Sequence, residues 1–124
     1  MVIKKDIANI EAFEAGDKTI LREVIHPKND AIELPYSLAH AYLELGEASL
    51  PHVLSKSEET YYFLEGEGRL FIEEEEVMVK KGSVVMVPKG ARQYLKNTGK
   101  KRLIFICIVS PPWTASEEEV YEGA

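Results

Sequence analysis

The stretch GEASLPHVLSKSEETYYFLEGEG, residues Gly46–Gly68, decides how this chain is read. It holds His52, one of three histidines, then Glu59 at the head of an aromatic run, and closes on a glycine pair. Residues two apart in a strand share a face. Glu59, Tyr61 and Phe63 therefore point one way, Tyr62 and Leu64 the other, and His52 shares its face with Leu54. A carboxylate that faces inward among aromatics needs a partner, because an unpaired buried charge is costly. A metal ion, or a paired Arg or Lys, would serve. If the strand faces the other way, Glu59 is a surface residue beside Glu58, and His52 after Pro51 is a structural histidine. The residues alone leave both readings open.

Around this stretch the strand signals are dense. KTILREVIH (18–26) ends in Pro27 and a turn cluster, and YSLAHAYLEL (36–45) alternates up to Gly46. ETYYFLEG (59–66) and RLFIEEE (69–75) flank Gly66–Glu67–Gly68, which reads as a hairpin. VMVKKG (77–82), SVVMVPKG (83–90), RQYLKNTG (92–99) and RLIFICIV (102–109) continue at short, regular spacing. Many short strands with Gly and Pro punctuation predict an all-β sandwich or barrel. The acidic run Glu73–Glu76 lacks the ligand spacing of a calcium loop and reads as a solvated hairpin tip. IANIEAFEA (7–15) is a weak helix or strand candidate. In the tail, Pro111 and Pro112 end the last strand, Ser116 with Glu119 has capping-box spacing for a short helical turn, and Trp113 packs the tail onto the barrel.

Composition sets the class. The chain has 124 residues, 45% apolar and 29% charged, and a formal net charge of −6. That size suits one domain with a real core. The acidic balance argues against nucleic acid, since phosphate binding needs a basic face. The longest apolar run, Leu103–Val109, is far too short for a membrane span. The N-terminal stretch has no apolar signal core, so a cytoplasmic location is expected. Cys107, the single cysteine, lies inside the apolar run and reads as a core residue.

The spacing then matches a family. Gly46, five residues, His52, Leu54, four residues, Glu59, six residues and Gly66 resemble the first motif of the cupins. Gly82, five residues, Pro88, Gly90, two residues, Gln93, three residues and Asn97 resemble the second. The chain is similar to small single-domain cupins, loosely mannose-6-phosphate-isomerase-like, including the ending ICIVSPPW. The resemblance implies a jelly-roll barrel, the double-stranded β-helix, over about residues 36–109. Strands from 1–35 and a tail from 110–124 complete one domain over 1–124. Leu54 and Gln93 stand where the family has two of its histidines.

In the family, three histidines and a glutamate hold a divalent metal. Here His52 and Glu59 carry over unchanged, Leu54 cannot ligate, and Gln93 offers only an amide oxygen. His40, on the strand before the first motif, would restore a nitrogen ligand. The resemblance therefore implies His40, His52, Glu59 and Gln93 around one zinc, iron, manganese, nickel or copper ion. Tyr42, Leu54, Tyr61, Phe63 and Leu95 would line the pocket. A metal-dependent isomerase or oxygenase acting on a small sugar, sugar phosphate or organic acid follows. The alternatives are a non-catalytic binding cupin and a structural barrel with a vestigial site. The family also implies a homodimer.

Overall fold

The computed structural model describes residues 2–122, which form two antiparallel sheets and almost no helix. The strands are β1 (Phe13–Glu14), β2 (Ile20–Ile25), β3 (Ser37–Leu43), β4 (His52–Leu54), β5 (Glu58–Glu65) and β6 (Glu67–Ile72). They continue with β7 (Glu75–Lys80), β8 (Val84–Val87), β9 (Gln93–Asn97), β10 (Leu103–Ser110) and β11 (Glu118–Val120). The first sheet has the order β1-β2-β3-β10-β5-β8, the second β11-β4-β9-β6-β7. Among the described residues no helix is long and apolar enough to cross a membrane.

β10 shows why the sheets face each other. Leu103, Phe105, Cys107 and Val109 are buried, while the intervening Ile104, Ile106 and Ile108 are only partly covered. The buried set meets Tyr61 and Phe63 of β5 and Ala41 and Leu43 of β3 on one side. Leu70, Val79 and Leu95 of the second sheet close the core from the other. This is the packing of two inner faces that a period-two pattern dictates. Burial also pushes the Cys107 thiol well above its ordinary pKa, so it is a core group and not a nucleophile.

The glycine pair at the end of the opening stretch is not a hairpin. β5 pairs with β10 and β8, whereas β6 pairs with β7 and β9. Gly66 is instead the corner where the chain leaves one sheet for the other. Its φ is +91°, and a Cβ there would lie 2.5 Å from the Arg102 carbonyl oxygen. Only glycine fits that approach. The hairpin lies one strand later: Phe71 faces Glu76 and Ile72 faces Glu75, with Glu73 and Glu74 exposed at the tip. The acidic run is therefore a solvated turn, as its composition implies.

Asn97, the last residue of the second motif, is a structural staple. It is 1% exposed. Its Nδ2 lies 2.9–3.1 Å from the carbonyls of Leu43, Glu44 and Lys101, and its Oδ1 accepts from Gly99 N–H at 3.0 Å. His26 is equally structural. Its Nδ1 accepts from Lys28 N–H, so its Nε2–H donates to the Trp113 carbonyl at 2.7 Å. Trp113 N–H donates to Ser37 Oγ, so the tail is pinned to the barrel at Trp113. A 3-10 turn, Ala115–Glu117, forms there without the Ser116–Glu119 capping box, because Thr114 occupies the cap and makes no side-chain cap bond. The tail then adds β11 to the edge of the second sheet, beside β4. At the other end, Ile7–Asn9 is a 3-10 turn and Phe13–Glu14 a short edge strand.

Candidate functional site

The two inner faces enclose a cavity of about 120 Å³. Ala39, Ala41, Leu54, Leu95 and Phe105 form part of its wall, and Asp17, His52, Glu59 and Glu118 line it too. Each wall follows from strand parity. Ala39 and Ala41 of β3 are small and point inward, which opens the space.

That same parity removes two predicted site residues. His40 and Tyr42 alternate with the alanines and lie on the outer face of the first sheet. His40 sits across from Arg22 on one side and Ile106 on the other. Burial and the neighbouring Arg22 charge hold its pKa below the ordinary value. Tyr42 lies under the Arg102 guanidinium, 4.2 Å from the ring centre. Small neighbours on a strand mark the face with room, and His40 is on the other face. Phe63 is fully buried in the core, stacked at 5.8 Å on Tyr61, and does not reach the cavity. Leu54, Tyr61 and Leu95 do line it.

His52, Glu59 and Gln93 are brought close together. β4 and β9 place His52 directly opposite Gln93. Glu59, at the start of β5, reaches His52 from the facing sheet, with Oε1 3.3 Å from Nε2. Gln93 is 2% exposed, and its Oε1 accepts the Tyr61 hydroxyl proton. Burial first, then the Glu59 charge, push the Tyr61 phenol well above its ordinary pKa, so it remains a neutral donor.

Two further carboxylates belong to the site and were missed by the sequence reading. Asp17 Oδ2 lies 3.7 Å from His52 Nδ1, too far for a hydrogen bond, and Nδ1 has no other partner. Asp17 is fixed by its own turn: Oδ1 accepts from Thr19 N–H at 3.1 Å and Thr19 Oγ1–H at 2.7 Å. The local signal was Gly16-Asp17-Lys18-Thr19, an aspartate two residues before a hydroxyl at a strand entry. Glu118 of β11 faces Leu54 across the strand pair and accepts from Trp113 Nε1–H at 3.3 Å. No sequence signal marked it, because β11 itself had none. Burial raises its pKa, an effect that His52 opposes.

The imidazole thus sits between Glu59 at Nε2 and Asp17 at Nδ1. Burial disfavours its charge, but the hydrogen bond its Nε2–H donates to Glu59 and the fields of Glu59, Asp17 and Glu118 prevail and raise its pKa to about 9. The partner that the buried Glu59 requires is therefore an imidazolium. Glu59 is 8% exposed and His52 2%.

This donor set does not fit the four-ligand metal site that the resemblance implies. Leu54 occupies one ligand position, His40 faces away, and Gln93 Oε1 is engaged by Tyr61. Both ring nitrogens of His52 face carboxylates. Among the described residues no group of three or more His, Cys, Asp or Glu side chains is placed to hold a metal ion.

Comparison with known proteins agrees with the fold. A family profile described as the cupin domain matches residues 39–109. The chain is 33% identical over 121 residues to the uncharacterized protein MJ1618 of Methanocaldococcus jannaschii, covering 98% of this chain and 96% of that one. Among solved structures, a predicted oxalate decarboxylase of Thermotoga maritima superposes with a TM-score of 0.76 at 20% identity, covering 90% of this chain and 99% of the other. Pac13, a nucleoside dehydratase of Streptomyces, superposes with a TM-score of 0.79 at 16% identity, covering 98% and 92%. The two motifs, the paired sheets and these matches converge, and the chain belongs to the cupin family.

Proposed function

We propose that this cupin is an enzyme that moves a proton on a small organic molecule held between its sheets. The observation that carries this reading is the buried His52–Glu59 ion pair at the wall of the cavity. Glu59 is the base, and the His52 imidazolium beside it balances its charge. His52 is the positioning and charge-balancing residue. A ligand proton moves to a Glu59 oxygen and returns from it to another ligand atom, so atoms and charge balance over the cycle. Leu54, Leu95 and Phe105 exclude water and strengthen each charge interaction inside.

The test uses ligands first selected by thermal shift. Deuterium from heavy water should enter a bound ligand at its acidic position with the native chain, and not with Glu59→Gln. Exchange that survives Glu59→Gln would overturn the assignment.

A metal-dependent reaction is the second reading, favoured by one observation: His52 Nε2 and Glu59 Oε1 lie side by side, with Gln93 across the strand pair. Metal analysis of protein purified without a histidine tag separates the two. A full equivalent of bound transition metal, lost in His52→Ala, would establish the metal reading in place of ours.

The homodimer belongs to this proposal too. Its surface is the outer face of the first sheet, where Ile106 lies between His40 and Tyr62 and Ile104 and Ile108 share its side of β10. A second copy laid on this face would cover these side chains. Ile106→Lys should shift the native mass in light scattering from dimer to monomer; a native chain that is monomeric throughout would refute the dimer.

A further inference from the structure

His52 leaves one bond unmade. Its Nε2 faces Oε1 of Glu59 at 3.3 Å, and its Nδ1 faces Oδ2 of Asp17 at 3.7 Å. Both neighbours are carboxylate oxygens, which accept and do not donate, so each ring nitrogen turns an N–H toward an acceptor. The Nε2–H finds its partner. The Nδ1–H does not: 3.7 Å is beyond a hydrogen bond, and among the described residues this buried atom has no other partner. His52 is 2% exposed, and a buried donor left unsatisfied is costly. Asp17 is short of a bond as well. Thr19 donates twice to its Oδ1, and among the described residues no group donates to its Oδ2. Both residues line the cavity. An unused donor and an unused acceptor therefore stand side by side at its wall.

We infer that the pocket selects a small neutral molecule through one hydroxyl group, whose oxygen accepts the His52 Nδ1–H and whose hydrogen goes to Asp17 Oδ2. One oxygen can reach both, because 3.7 Å is shorter than two hydrogen bonds of about 2.8 Å laid end to end. A hydroxyl is acceptor and donor at one atom. An ammonium lacks the acceptor that Nδ1–H needs, and a ketone lacks the donor that Oδ2 needs. A carboxylate or phosphate would answer Nδ1 but would meet Asp17, Glu23, Glu59 and Glu118 on the same wall, where like charges repel. Ala41, Leu54, Leu95 and Phe105 receive the carbon skeleton. The volume of about 120 Å³ is a little below the roughly 150 Å³ of an engineered cavity that holds benzene. A single six-membered ring bearing a hydroxyl is about the right size. This inference rests on the pocket and the ion pair assigned above, but not on proton transfer.

The test is equilibrium binding of four compounds of similar shape by isothermal titration calorimetry at neutral pH: cyclohexanol, cyclohexanone, cyclohexylammonium and cyclohexanecarboxylate. Cyclohexanol should bind about tenfold more tightly than cyclohexanone, a difference of about 1.4 kcal/mol, and more tightly than either charged compound. Asp17→Asn keeps an oxygen for Thr19 and puts an N–H where Oδ2 stood, which a ketone can accept. The preference for alcohol over ketone should then fall about tenfold, to near parity. A second measurement needs only the native chain: the His52 Nδ1–H signal in nitrogen-15 NMR should shift when cyclohexanol saturates the pocket. Any of the three analogues binding as tightly as cyclohexanol, or no saturable cyclohexanol binding up to its solubility, would overturn the inference. So would a preference unmoved in Asp17→Asn, or an Nδ1–H signal unmoved at saturation. Binding is read without turnover. A chain that prefers the alcohol yet exchanges no deuterium keeps this inference and loses the proton-transfer reading, and the opposite result does the reverse.

Discussion

The ion pair at the cavity wall makes the stability of the barrel depend on pH in a defined direction. His52 has an ordinary value of 6.5 in the unfolded chain and about 9 in the folded one. Because the folded value is the higher, the stabilisation is fully present below pH 6.5 and is lost as the pH rises through about 9. At about 1.4 kcal/mol for each tenfold change in proton affinity, this rise corresponds to about 3 kcal/mol. For a chain of this size that is roughly 10 °C of melting temperature. Tyr61 and Cys107 are both pushed well above their ordinary values and do not titrate in this window. The assay is urea unfolding at closely spaced pH values from 6 to 9.5, paired with NMR titration of the imidazole, its signal assigned by His52→Gln. Glu59→Gln removes the first of the groups that raise the imidazole's affinity for protons. That variant should titrate nearer its ordinary value and lose most of the decline in stability between pH 6.5 and 9. A native imidazole that titrates at or below 6.5, or a Glu59→Gln profile parallel to the native one, would refute the argument.

Four further outcomes follow from the same geometry. Gly66→Ala places a Cβ 2.5 Å from the Arg102 carbonyl at a positive φ, and should cost about 3 kcal/mol in urea unfolding. Gly82→Ala, with φ +89° but nothing within 4 Å, should cost only about 1 kcal/mol. Asn97→Ala strips the buried partner from three carbonyls and one N–H, and should cost about 3 kcal/mol in the same assay. Leu54→His with Gln93→His restores the family's donors on adjacent strands, so the double variant should bind close to one equivalent of zinc by calorimetry where the native chain binds less than a tenth.

The barrel was legible because its punctuation is backbone chemistry. Gly46, Gly66, Gly82 and Gly90 all have positive φ, so their spacing in the sequence records where the chain turns. The role of each turn was less legible. A Gly-Glu-Gly sequence between two apolar runs looks the same for a hairpin and for a corner between sheets, and only the pairing of β5 and β6 with other strands separates them. At the site, His52 and Glu59 were readable because motif spacing and strand parity agree. His40 was misplaced because parity within a strand says which residues share a face and not which face looks inward. Phe105 and Cys107 opposite Phe63 and Tyr61 decide that, and they come from the far end of the chain. Asp17 and Glu118 arrive from an N-terminal turn and a C-terminal edge strand, contacts too distant in sequence for any local pattern to carry.

Those two late arrivals also explain why Leu54 and Gln93 belong together. In a site with a divalent ion, imidazoles suffice as further ligands and the ion offsets the carboxylate. Here Leu54 puts an apolar side chain beside Glu118, and Gln93 spends its oxygen on Tyr61. Neither leaves a second imidazole to compete for charge. His52 then carries the local positive charge alone, and Asp17 and Glu59 hold it protonated from opposite ring nitrogens. Replacing Leu54 by histidine without Gln93 would crowd a second imidazole against Glu118 and divide that charge between two rings. Both would then titrate closer to 6.5 than His52 does. The two departures from the family pattern are thus one change: without a second imidazole, the positive charge beside Glu59 rests on His52 alone.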